Sequence, residues 1–393
     1  MTDRLSIGVV CFCGLSGSGV VASELALALA RRGHRIHLVA SARPSRDLPG
    51  SEHEMFHEVR VPSYPVFDDA PYTVAVACTI VDVIRRHGLD LLHVHYALPH
   101  AASALLARQV LGASAPRTVT TLHGTDVTRV GTDPAYHAVT AFAVAASDAI
   151  TVPSDFLRRE ARRRLGLPRE REIEVLPNFV DTAHFTPAEP RDRSRLAALF
   201  GATVDPAGDR APVLFHVSTF REVKRTVDLI EVLARVRRAL PARLVLVGDG
   251  PTRAATEERA VALGLSDCVQ FLGRRAEFVE ELRHADAFVL PSETESFGVA
   301  AAEALSAGVP VFAYRVGGLP EVVVEGTGRL VDALDVDALA RAIVEVLGDP
   351  DRHAGMSRAA RAHAARHFGE DAAVDRYEEF FQRVVARAHG TDR

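Results

Sequence analysis

Glu293-Thr-Glu-Ser-Phe-Gly298, followed by Glu303, is the most informative motif in the sequence. It follows a predicted strand over residues 287–290 and leads into a predicted helix that begins near Phe297. The free N–H groups of such a helix would face an anion, with Glu295 just before the helix and Glu303 one or two turns inside it. Helix capping explains Glu295 alone but not the whole run. The stretch therefore predicts a diphosphate site at the end of a strand.

On both sides of this stretch, short β-branched runs alternate with helical patterns, which predicts parallel sheets built of βαβ units. We expect strands over residues 7–12, 35–41, 91–96, 118–122, 149–152, 174–176, 213–217, 243–247, 269–272, 287–290 and 309–314. A helix over residues 20–32 should stop at Gly33, and a shorter one should span residues 193–200.

Composition bounds the domain organisation. A chain of 393 residues exceeds what one core usually supports, so two domains are expected. The pattern loosens over residues 186–212, which places an N-terminal domain at 1–188 and a C-terminal domain at 189–370. Residues 371–393 predict an amphipathic helix. Two doubly wound domains that face a cleft would place ligands at the carboxyl ends of both sheets.

Charge and cysteine content exclude several classes of protein. The net charge of −5, with arginine spread along the chain, predicts no nucleic-acid or anionic-membrane partner. No signal peptide or membrane span is recognisable, so we expect a cytoplasmic protein. The four cysteines predict no disulfide framework, and Cys11 and Cys13 are interpreted as core residues rather than metal ligands.

Lys224 is the only lysine among the 46 basic residues. It lies in Thr219-Phe-Arg-Glu-Val-Lys-Arg225, directly after a predicted strand, together with Arg221. A guanidinium fork and a compact ammonium at a sheet's carboxyl edge are partners for phosphate oxygens. Because arginine stands at every other basic position, a solvated charge cluster is the weaker interpretation.

Three further motifs follow strands in the first half. Gly14-Leu-Ser-Gly-Ser-Gly19 opens the first helix, where glycines allow an anion to approach the backbone. His93-Val-His-Tyr96 ends another strand, where pocket lining is a simpler interpretation than metal binding. His123-Gly-Thr-Asp126 offers a histidine to a ligand hydroxyl and an aspartate to cap the next helix.

The glycine motif also fits a dinucleotide-binding enzyme, so an NADP-dependent oxidoreductase remains an alternative. That class needs an acidic residue about 20 positions on to hold a ribose, whereas this chain has Ser41, Ala42 and Arg43 after the second strand. Arg43 could hold the 2′-phosphate of NADP. A pyridoxal-phosphate phosphorylase would need Lys224 as its Schiff base, in an unsuitable motif. A non-catalytic sugar-binding protein also stays open.

Together these residues resemble the retaining glycosyltransferases of family 4, over nearly the whole chain. Within that family, residues 17–21, 94–100, 121–126 and 220–225 are most similar to the N-acetylglucosaminyl malate synthases of bacillithiol biosynthesis. The resemblance implies the GT-B fold, which is two Rossmann-like domains with a C-terminal helix that returns to the N-terminal domain. It implies transfer of N-acetylglucosamine from the UDP sugar to L-malate, no cofactor, no metal site and a homo-oligomer. The leaving phosphate would accept the acceptor's proton, so no separate base is expected.

The resemblance also implies roles for individual residues. The catalytic residues would be Glu295, His123, Arg221 and Lys224. The donor-binding residues would be Gly17, Gly19, Arg221, Lys224, Gly273, Arg274, Ser296, Phe297, Gly298 and Glu303. The acceptor-binding residues would be Ser16, Ser18, Tyr96, His100, Thr125 and Thr219.

Two positions depart from the malate-synthase pattern, both on the acceptor side. Cys13-Gly-Leu-Ser16 replaces a Pro-[Ser/Thr]-x-Gly run, and Thr219 replaces an asparagine. An enzyme of the same family that uses another NDP-sugar, such as a GDP-sugar, is therefore a second hypothesis. Its acceptor would be different, for example a low-molecular-weight thiol in lincosamide-type antibiotic biosynthesis.

Overall fold

The computed structural model describes residues 4–13, 17–43, 56–63, 70–200 and 211–389. These residues form two compact units. The first unit comprises the residues up to Asn178 together with those from Asp371 onward, and the second unit runs from Phe179 to Glu370. Each unit is built around one parallel sheet.

The first unit contains a seven-stranded sheet in the order β3-β2-β1-β4-β5-β6-β7. Its strands are β1 Ser6–Val10, β2 Arg35–Ala40, β3 Phe56–Glu58, β4 Leu91–His95, β5 Arg117–Thr121, β6 Ala149–Val152 and β7 Glu174–Val175. All neighbours are parallel, with Ile7 opposite Ile36 on one side and Leu91 on the other. The central strands β1 and β4 are buried throughout, as expected for a sheet covered on both faces.

The second unit repeats this plan with a six-stranded sheet in the order β10-β9-β8-β11-β12-β13. Its strands are β8 Val213–Val217, β9 Arg243–Val247, β10 Val269–Phe271, β11 Ala287–Leu290, β12 Val311–Tyr314 and β13 Gly328–Val331. The strand order reverses between β8 and β11, which is the position where doubly wound sheets bind ligands.

Helices cover the sheets of both units. In the first unit they are α1 Gly17–Arg31, α2 Tyr72–His87, α3 Ala102–Leu111, α4 Thr125–Thr128, α5 His137–Ala146 and α6 Asp155–Leu165. In the second unit they are α7 Arg193–Ala197, α8 Thr226–Val236, α9 Arg253–Ala262, α10 Val279–Leu282, α11 Val299–Ser306, α12 Leu319–Val322, α13 Val336–Leu347 and α14 Pro350–His367. The last helix, α15, is Glu370–His389.

Local sequence explains where several helices begin and end. Ser154 precedes α6 and its hydroxyl accepts a hydrogen bond from the backbone N–H of Leu157. Gly166 ends the same helix in the left-handed conformation, with φ of 63°. Asp349 caps α14, whose first residue is Pro350, because proline suits a position where no backbone donor is needed.

Helix α15 belongs to the first unit. Its buried Tyr377 and Phe381 lie 6.0 and 5.1 Å from the ring of His93 on β4. Glu378 is also buried and accepts a 2.9 Å hydrogen bond from His34. The stripe of apolar residues predicted for this segment therefore packs on the first sheet.

The boundary between the units and two edge strands differ from the sequence prediction. The division between the units falls at residues 178 and 179 rather than after 188, because Phe179, Val180 and Phe185 are buried and the latter two join the core of the second unit. Two edge strands, β3 and β13, were not predicted. No helix that the structure describes is both long and apolar enough to cross a membrane.

Candidate active site

The predicted Glu295 and Lys224 meet in the second unit. The ammonium Nζ of Lys224 lies 2.5 Å from the carboxylate Oε1 of Glu295. Only 17% of the lysine side chain and 11% of the glutamate side chain are exposed. Glu295 follows β11 and Lys224 follows β8, so adjacent parallel strands deliver the pair to one edge of the sheet. The only lysine of the chain thus lies where the strand order reverses.

Backbone contacts fix Glu295 against the loop after β12. The N–H of Gly318 donates a 2.9 Å hydrogen bond to the carbonyl oxygen of Glu295. At Gly317 the backbone has a φ of +57°, and a Cβ there would lie only 1.9 Å from the same oxygen. Only glycine allows both this conformation and this approach. The Gly317-Gly318 pair therefore sets the position of Glu295.

The loop that carries Lys224 is anchored in the same manner. The ring of Phe220 is buried, and its N–H donates a 2.9 Å hydrogen bond to the carbonyl of Asp249, after β9. The N–H of Glu293 bonds to the carbonyl of Val223 at 2.9 Å, which ties this loop to the Glu295 segment. The Arg221 and Thr219 side chains are exposed beside this anchored loop.

Helix α11 begins at Val299, two residues after the predicted start at Phe297, because Gly298 precedes it with a φ of 97°. A left-handed residue cannot be part of an α-helix, so Gly298 stands at the N-cap. Phe297 is buried, with its ring 5.5 Å from that of Phe368. Ser296 and Glu303 are partly buried on either side of the helix start.

Arg225 forms ion pairs within the protein and is not expected to bind a ligand. Its guanidinium bonds to Asp228 at 2.7 Å and to Glu293 at 2.8 Å, and the hydrogen bond to Asp228 raises the pKa of Arg225. The Nδ1–H of neighbouring His216 donates to the carbonyl of Val289 at 2.8 Å, and its Nε2 lies 2.7 Å from the hydroxyl of Ser218. Burial lowers the pKa of His216 to about 4. His216 is therefore neutral near pH 7 and adds no positive charge next to Lys224.

The predicted Gly273 and Arg274 lie after β10 on the same edge. The carbonyl of Gly273 accepts a 2.8 Å hydrogen bond from Gly248 after β9. Arg274 is exposed, whereas the adjacent Arg275 bonds to Glu281 at 2.7 Å. Among the described residues, Arg275 is held in an ion pair, whereas Arg274 is exposed to solvent and forms no ion pair.

In the first unit, the structure brings the predicted Tyr96 and His123 together. Their rings are stacked with centroids 6.0 Å apart, and His123 Nε2 lies 3.0 Å from the Nδ1 of His95. Tyr96 has a φ of 88°, rare for a residue with a side chain, at the end of β4. Burial lowers the pKa of His123 to about 3, so the ring is neutral near pH 7 and offers hydrogen bonds rather than charge.

Asp126 was predicted to cap the next helix, and this prediction was wrong. Asp126 lies within α4, and Gly124 precedes that helix. The carboxylate instead accepts hydrogen bonds from the N–H groups of Gly124 at 2.7 Å, His123 at 3.0 Å and Ala97 at 3.3 Å. Burial raises its pKa to about 6. Asp126 therefore holds the loops after β4 and β5 together, with Thr125 partly buried beside it.

His100, predicted to bind the acceptor, is buried. Its Nδ1 bonds to the carbonyl of His95 at 2.6 Å, and its ring lies 4.4 Å from that of Phe12. Burial lowers its pKa to about 4. Within the described residues its Nε2 has no hydrogen-bond partner, so one polar atom of this ring is available to a ligand or water.

The glycine motif lies partly outside the described residues, including Ser16. Gly17, Ser18 and Gly19 form the first turn of α1, three residues earlier than the helix was predicted to begin. Cys11 and Cys13 lead into this motif, with their sulfur atoms 3.5 Å apart. Their shared hydrogen bond raises the pKa of the Cys11 thiol and lowers that of Cys13.

Two glycines that support the Lys224 loop were not predicted from the sequence. Gly248 and Gly250 have φ values of 134° and 153°, and a Cβ at either would collide with the backbone of residues 218–220. The signal was available, since Val247-Gly-Asp-Gly250 follows a strand. Asp126 was predicted to cap a helix, whereas it joins the loops after β4 and β5. In the chain, each predicted site residue that the structure describes follows the carboxyl end of a strand of its own unit.

Family models match both halves of the chain. The model described as Glycosyltransferase Family 4 matches residues 15–184, and the model described as Glycosyl transferases group 1 matches residues 205–363. These two matches fall on the two units separately, apart from the residues near the boundary.

Curated relatives match most of the chain. The chain is 37% identical to N-acetyl-alpha-D-glucosaminyl L-malate synthase of Bacillus anthracis, over 97% of this chain and 98% of that one. It is 31% identical to a GDP-mannose-dependent monoacylated alpha-(1-6)-phosphatidylinositol monomannoside mannosyltransferase of Corynebacterium glutamicum, over 79% of this chain and 81% of that one.

Solved structures share the fold at lower identity. Sucrose-phosphate synthase from Thermosynechococcus elongatus superposes with a TM-score of 0.77 at 22% identity, covering 98% of this chain and all of that one. Anabaena HepE in complex with UDP-glucose gives a TM-score of 0.77 at 20% identity, covering 96% and 100%. With its two parallel sheets, the protein has the GT-B architecture. The chain is a glycosyltransferase and belongs to glycosyltransferase family 4.

Proposed function

We propose that this enzyme transfers N-acetylglucosamine from UDP-N-acetylglucosamine to the hydroxyl of L-malate, with retention of the α configuration. The observation that carries the reaction type is the contact between Lys224 and Glu295 at the edge of the second sheet. The observation that supports these substrates is the 37% identity to the malate synthase over almost the full length of both chains.

Electrostatic stabilisation of the leaving group is the core of the proposed mechanism. As the sugar–phosphate bond breaks, negative charge grows on the departing diphosphate. Lys224 and Arg221 would meet that charge, together with the amides of Phe297 and Gly298 ahead of α11. Fixed cations and N–H groups stabilise a developing anion without reorganising during the reaction. Glu295 holds the ammonium in place before the donor binds, which limits the freedom of the lysine side chain.

The remaining donor contacts follow the same edge of the second sheet. Glu303 on α11 would accept hydrogen bonds from the ribose hydroxyls. Gly273 and Arg274 after β10 would lie against the nucleobase, and Ser296 near the phosphates. Glu295 itself would accept a hydrogen bond from a hydroxyl of the transferred sugar, in addition to holding Lys224.

The first unit would supply the acceptor and sugar contacts. Neutral His123 would donate to or accept from a sugar hydroxyl, with Tyr96 stacked against it. The acceptor would contact Ser18, His100 and Thr125 of this unit. Gly17 and Gly19 open α1, where N–H groups attract an anionic ligand such as a carboxylate or phosphate. The leaving phosphate accepts the proton of the malate hydroxyl, so the proposal needs neither a base nor a metal ion.

A donor and acceptor matrix tests this proposal. Purified enzyme is incubated with UDP-N-acetylglucosamine, UDP-glucose or GDP-mannose, each with and without L-malate, and release of the nucleoside diphosphate is followed. The proposal predicts fast release only with UDP-N-acetylglucosamine and malate together, unchanged by EDTA. Release that is equally fast without malate, or that needs a divalent ion, would contradict it.

A second candidate is supported by Thr219 and Cys13. A family member with a different acceptor would change the residues on the acceptor side first, and both positions depart from the malate-synthase pattern. The mannosyltransferase of Corynebacterium glutamicum, which is GDP-mannose-dependent, shows that relatives at 31% identity include users of another donor. Melting temperatures measured with the same donors distinguish the two candidates: a rise with GDP-mannose, and none with the UDP-sugars, would favour the second candidate.

A further inference from the structure

Three histidines from three separate elements converge in the first unit. His37 lies on β2, His57 on the edge strand β3, and His87 is the last residue of α2. Each offers one ring nitrogen, and these three nitrogens all lie within 4.8 Å of one another. In the part of the chain that the structure describes, this is the only group of three or more such side chains at that spacing.

The rings face one another closely. The Nδ1 of His37 lies 3.0 Å from the Nε2 of His57. The ring of His87 has its centroid 4.4 Å from that of His37 and 5.2 Å from that of His57. In a tetrahedral zinc site with Zn–N bonds of about 2.0–2.1 Å, the ligand nitrogens are about 3.3 Å apart. The observed spacing, 3.0 Å for the His37–His57 pair and at most 4.8 Å within the group, is close to that value.

This cluster is separate from the candidate active site. Helix α2 ends at His87, and shortly after it the N–H of Asp90 bonds to the carbonyl of Ser6 at the amino end of β1. The predicted sugar and acceptor residues follow the carboxyl ends of the strands, which form the opposite edge. No residue of the cluster belongs to the motifs that carry the family resemblance.

The electrostatic surroundings permit a cation. Burial lowers the pKa of His57, so its ring is neutral near pH 7, which is the form that binds metals. Two arginines lie close to the cluster. Arg86 forms a 3.0 Å ion pair with Asp82, which offsets its charge, and Arg35 donates a 3.3 Å hydrogen bond to the carbonyl of His87. His37 is almost fully buried while His57 and His87 are half-buried, so an ion has a route to the cluster.

We propose that His37, His57 and His87 form a transition-metal site that binds Zn²⁺ through three imidazole nitrogens, with water as a fourth ligand. Imidazole suits Zn²⁺, Cu²⁺, Ni²⁺ and Co²⁺, whereas Mg²⁺ and Ca²⁺ prefer oxygen ligands. Binding places the ion between the Nδ1 of His37 and the Nε2 of His57, one of which now donates a hydrogen bond to the other. The proton of the donor ring moves to the second nitrogen of the same ring, so that both rings stay neutral and each offers a lone pair to the ion. The ion would link the edge strand β3 and the end of α2 to β2, and so stabilise the first unit.

Equilibrium dialysis of the full chain without an affinity tag tests the site, with Zn²⁺ alone and then Co²⁺ alone as probes. The expected result is one tightly bound Zn²⁺ per chain, a visible absorption band typical of tetrahedral Co²⁺, and a melting temperature that rises with Zn²⁺. His57→Gln should weaken Zn²⁺ binding by more than about tenfold, since even loss of a supporting residue around a metal costs about 10- to 100-fold. His87→Gln, on a different element, should have the same effect.

Two matched variants separate this cluster from other possible ligands. His367→Gln removes one histidine of the pair His363 and His367, whose rings are 4.7 Å apart on α14. Cys13→Ser removes one thiol of the Cys11–Cys13 pair. Both should bind Zn²⁺ as the parent does. The proposal is overturned if the parent binds no stoichiometric Zn²⁺, or if the His57→Gln and His87→Gln variants, shown to be folded, bind it unchanged.

Discussion

At the scale of single residues, the candidate site depends on one cation that the protein holds in place. Lys224 lies against Glu295, and Arg225 next to it is bonded to Asp228 and Glu293. Two neighbouring basic residues therefore have different tasks. The arginine fixes the turn, in which it adopts a left-handed backbone with φ of 48°, and the lysine faces the position proposed for the diphosphate.

Lys224→Ala should lower kcat/KM by about 10²- to 10³-fold, the usual effect of removing one donor that stabilises a developing anion. Most of the loss should appear in kcat, because the charge on the diphosphate is greatest in the transition state. Steady-state kinetics with UDP-N-acetylglucosamine and L-malate measure it. The control is Arg195→Ala, which removes an exposed cation of the same unit that is paired with Glu280. Activity of Lys224→Ala within twofold of the parent would contradict the assigned role.

At the scale of elements, the loops after the strands are positioned by glycines that admit no side chain. Gly317 and Gly318 hold the carbonyl of Glu295, and Gly248 and Gly250 lie against the backbone of residues 218–220. Both catalytic loops of the second unit are therefore supported by a neighbouring loop. A substitution at one of these glycines should therefore shift the loop that it contacts, and with it Glu295 or Lys224.

Gly317→Ala should lower kcat/KM by about 10²-fold, because the added Cβ displaces Glu295 and misplacements near 1 Å cost about that much. Gly326→Ala is the matched control, since Gly326 also has a positive φ, of +85°, but a Cβ there meets nothing within 4 Å. It should cost about 1–2 kcal/mol of stability from backbone strain alone and leave activity unchanged. Equal activity losses in the two variants would mean that strain, not the contact with Glu295, is responsible.

Glu378→Ala should destabilise the first unit through the contact between α15 and His34. The N–H of Leu5 donates to Nδ1 of His34, so the proton lies on Nε2 and is donated to Glu378. Losing the buried carboxylate leaves that donor unpaired, at a cost of about 2 kcal/mol, or a fall in Tm of about 4–8 °C. The neighbouring exposed Glu379, changed to alanine, should shift the Tm little. A thermal melt in which both variants behave alike would contradict this role for α15.

The elements that could be predicted from the sequence are those with a clear local residue pattern. The central strands are short buried runs rich in apolar and β-branched residues, so their positions were predicted to within one or two residues. The edge strands β3 and β13 were missed because each is short and only partly buried. Lys224 and Glu295 were each singled out by their motifs, but their contact joins residues 71 positions apart and no local pattern specifies it. The histidine cluster has no sequence spacing that would indicate it, because its three members lie on separate elements.

At the scale of the whole molecule, buried histidines should set the response to acid. Burial lowers the folded-state pKa of His93 and His123 to about 3, and of His100 and His216 to about 4, from 6.5. These rings stay neutral in the folded protein but gain a proton in the unfolded chain below pH 6.5. Their stabilising effect is therefore complete above pH 6.5 and is lost as the pH falls towards 4 and 3.

Melting temperature should fall between pH 7 and pH 5. Each such histidine contributes on the order of 2 kcal/mol over that interval. Asp126 acts in the opposite direction, because its raised pKa of about 6 lets the folded protein take up a proton before the unfolded chain does. His100→Gln should reduce the pH dependence by removing one of the titrating rings. A melting temperature that is unchanged or higher at pH 5 would show that the histidines are not buried in their neutral form.

The most direct test of the proposed reaction is the structure of its product. Enzyme, UDP-N-acetylglucosamine and L-malate are incubated together, and the product is analysed by mass spectrometry and by the proton NMR coupling of its anomeric hydrogen. The expected product is a conjugate of N-acetylglucosamine and malate with the small coupling of an α-glycoside. A β-glycoside, or free N-acetylglucosamine and UDP without any conjugate, would contradict it.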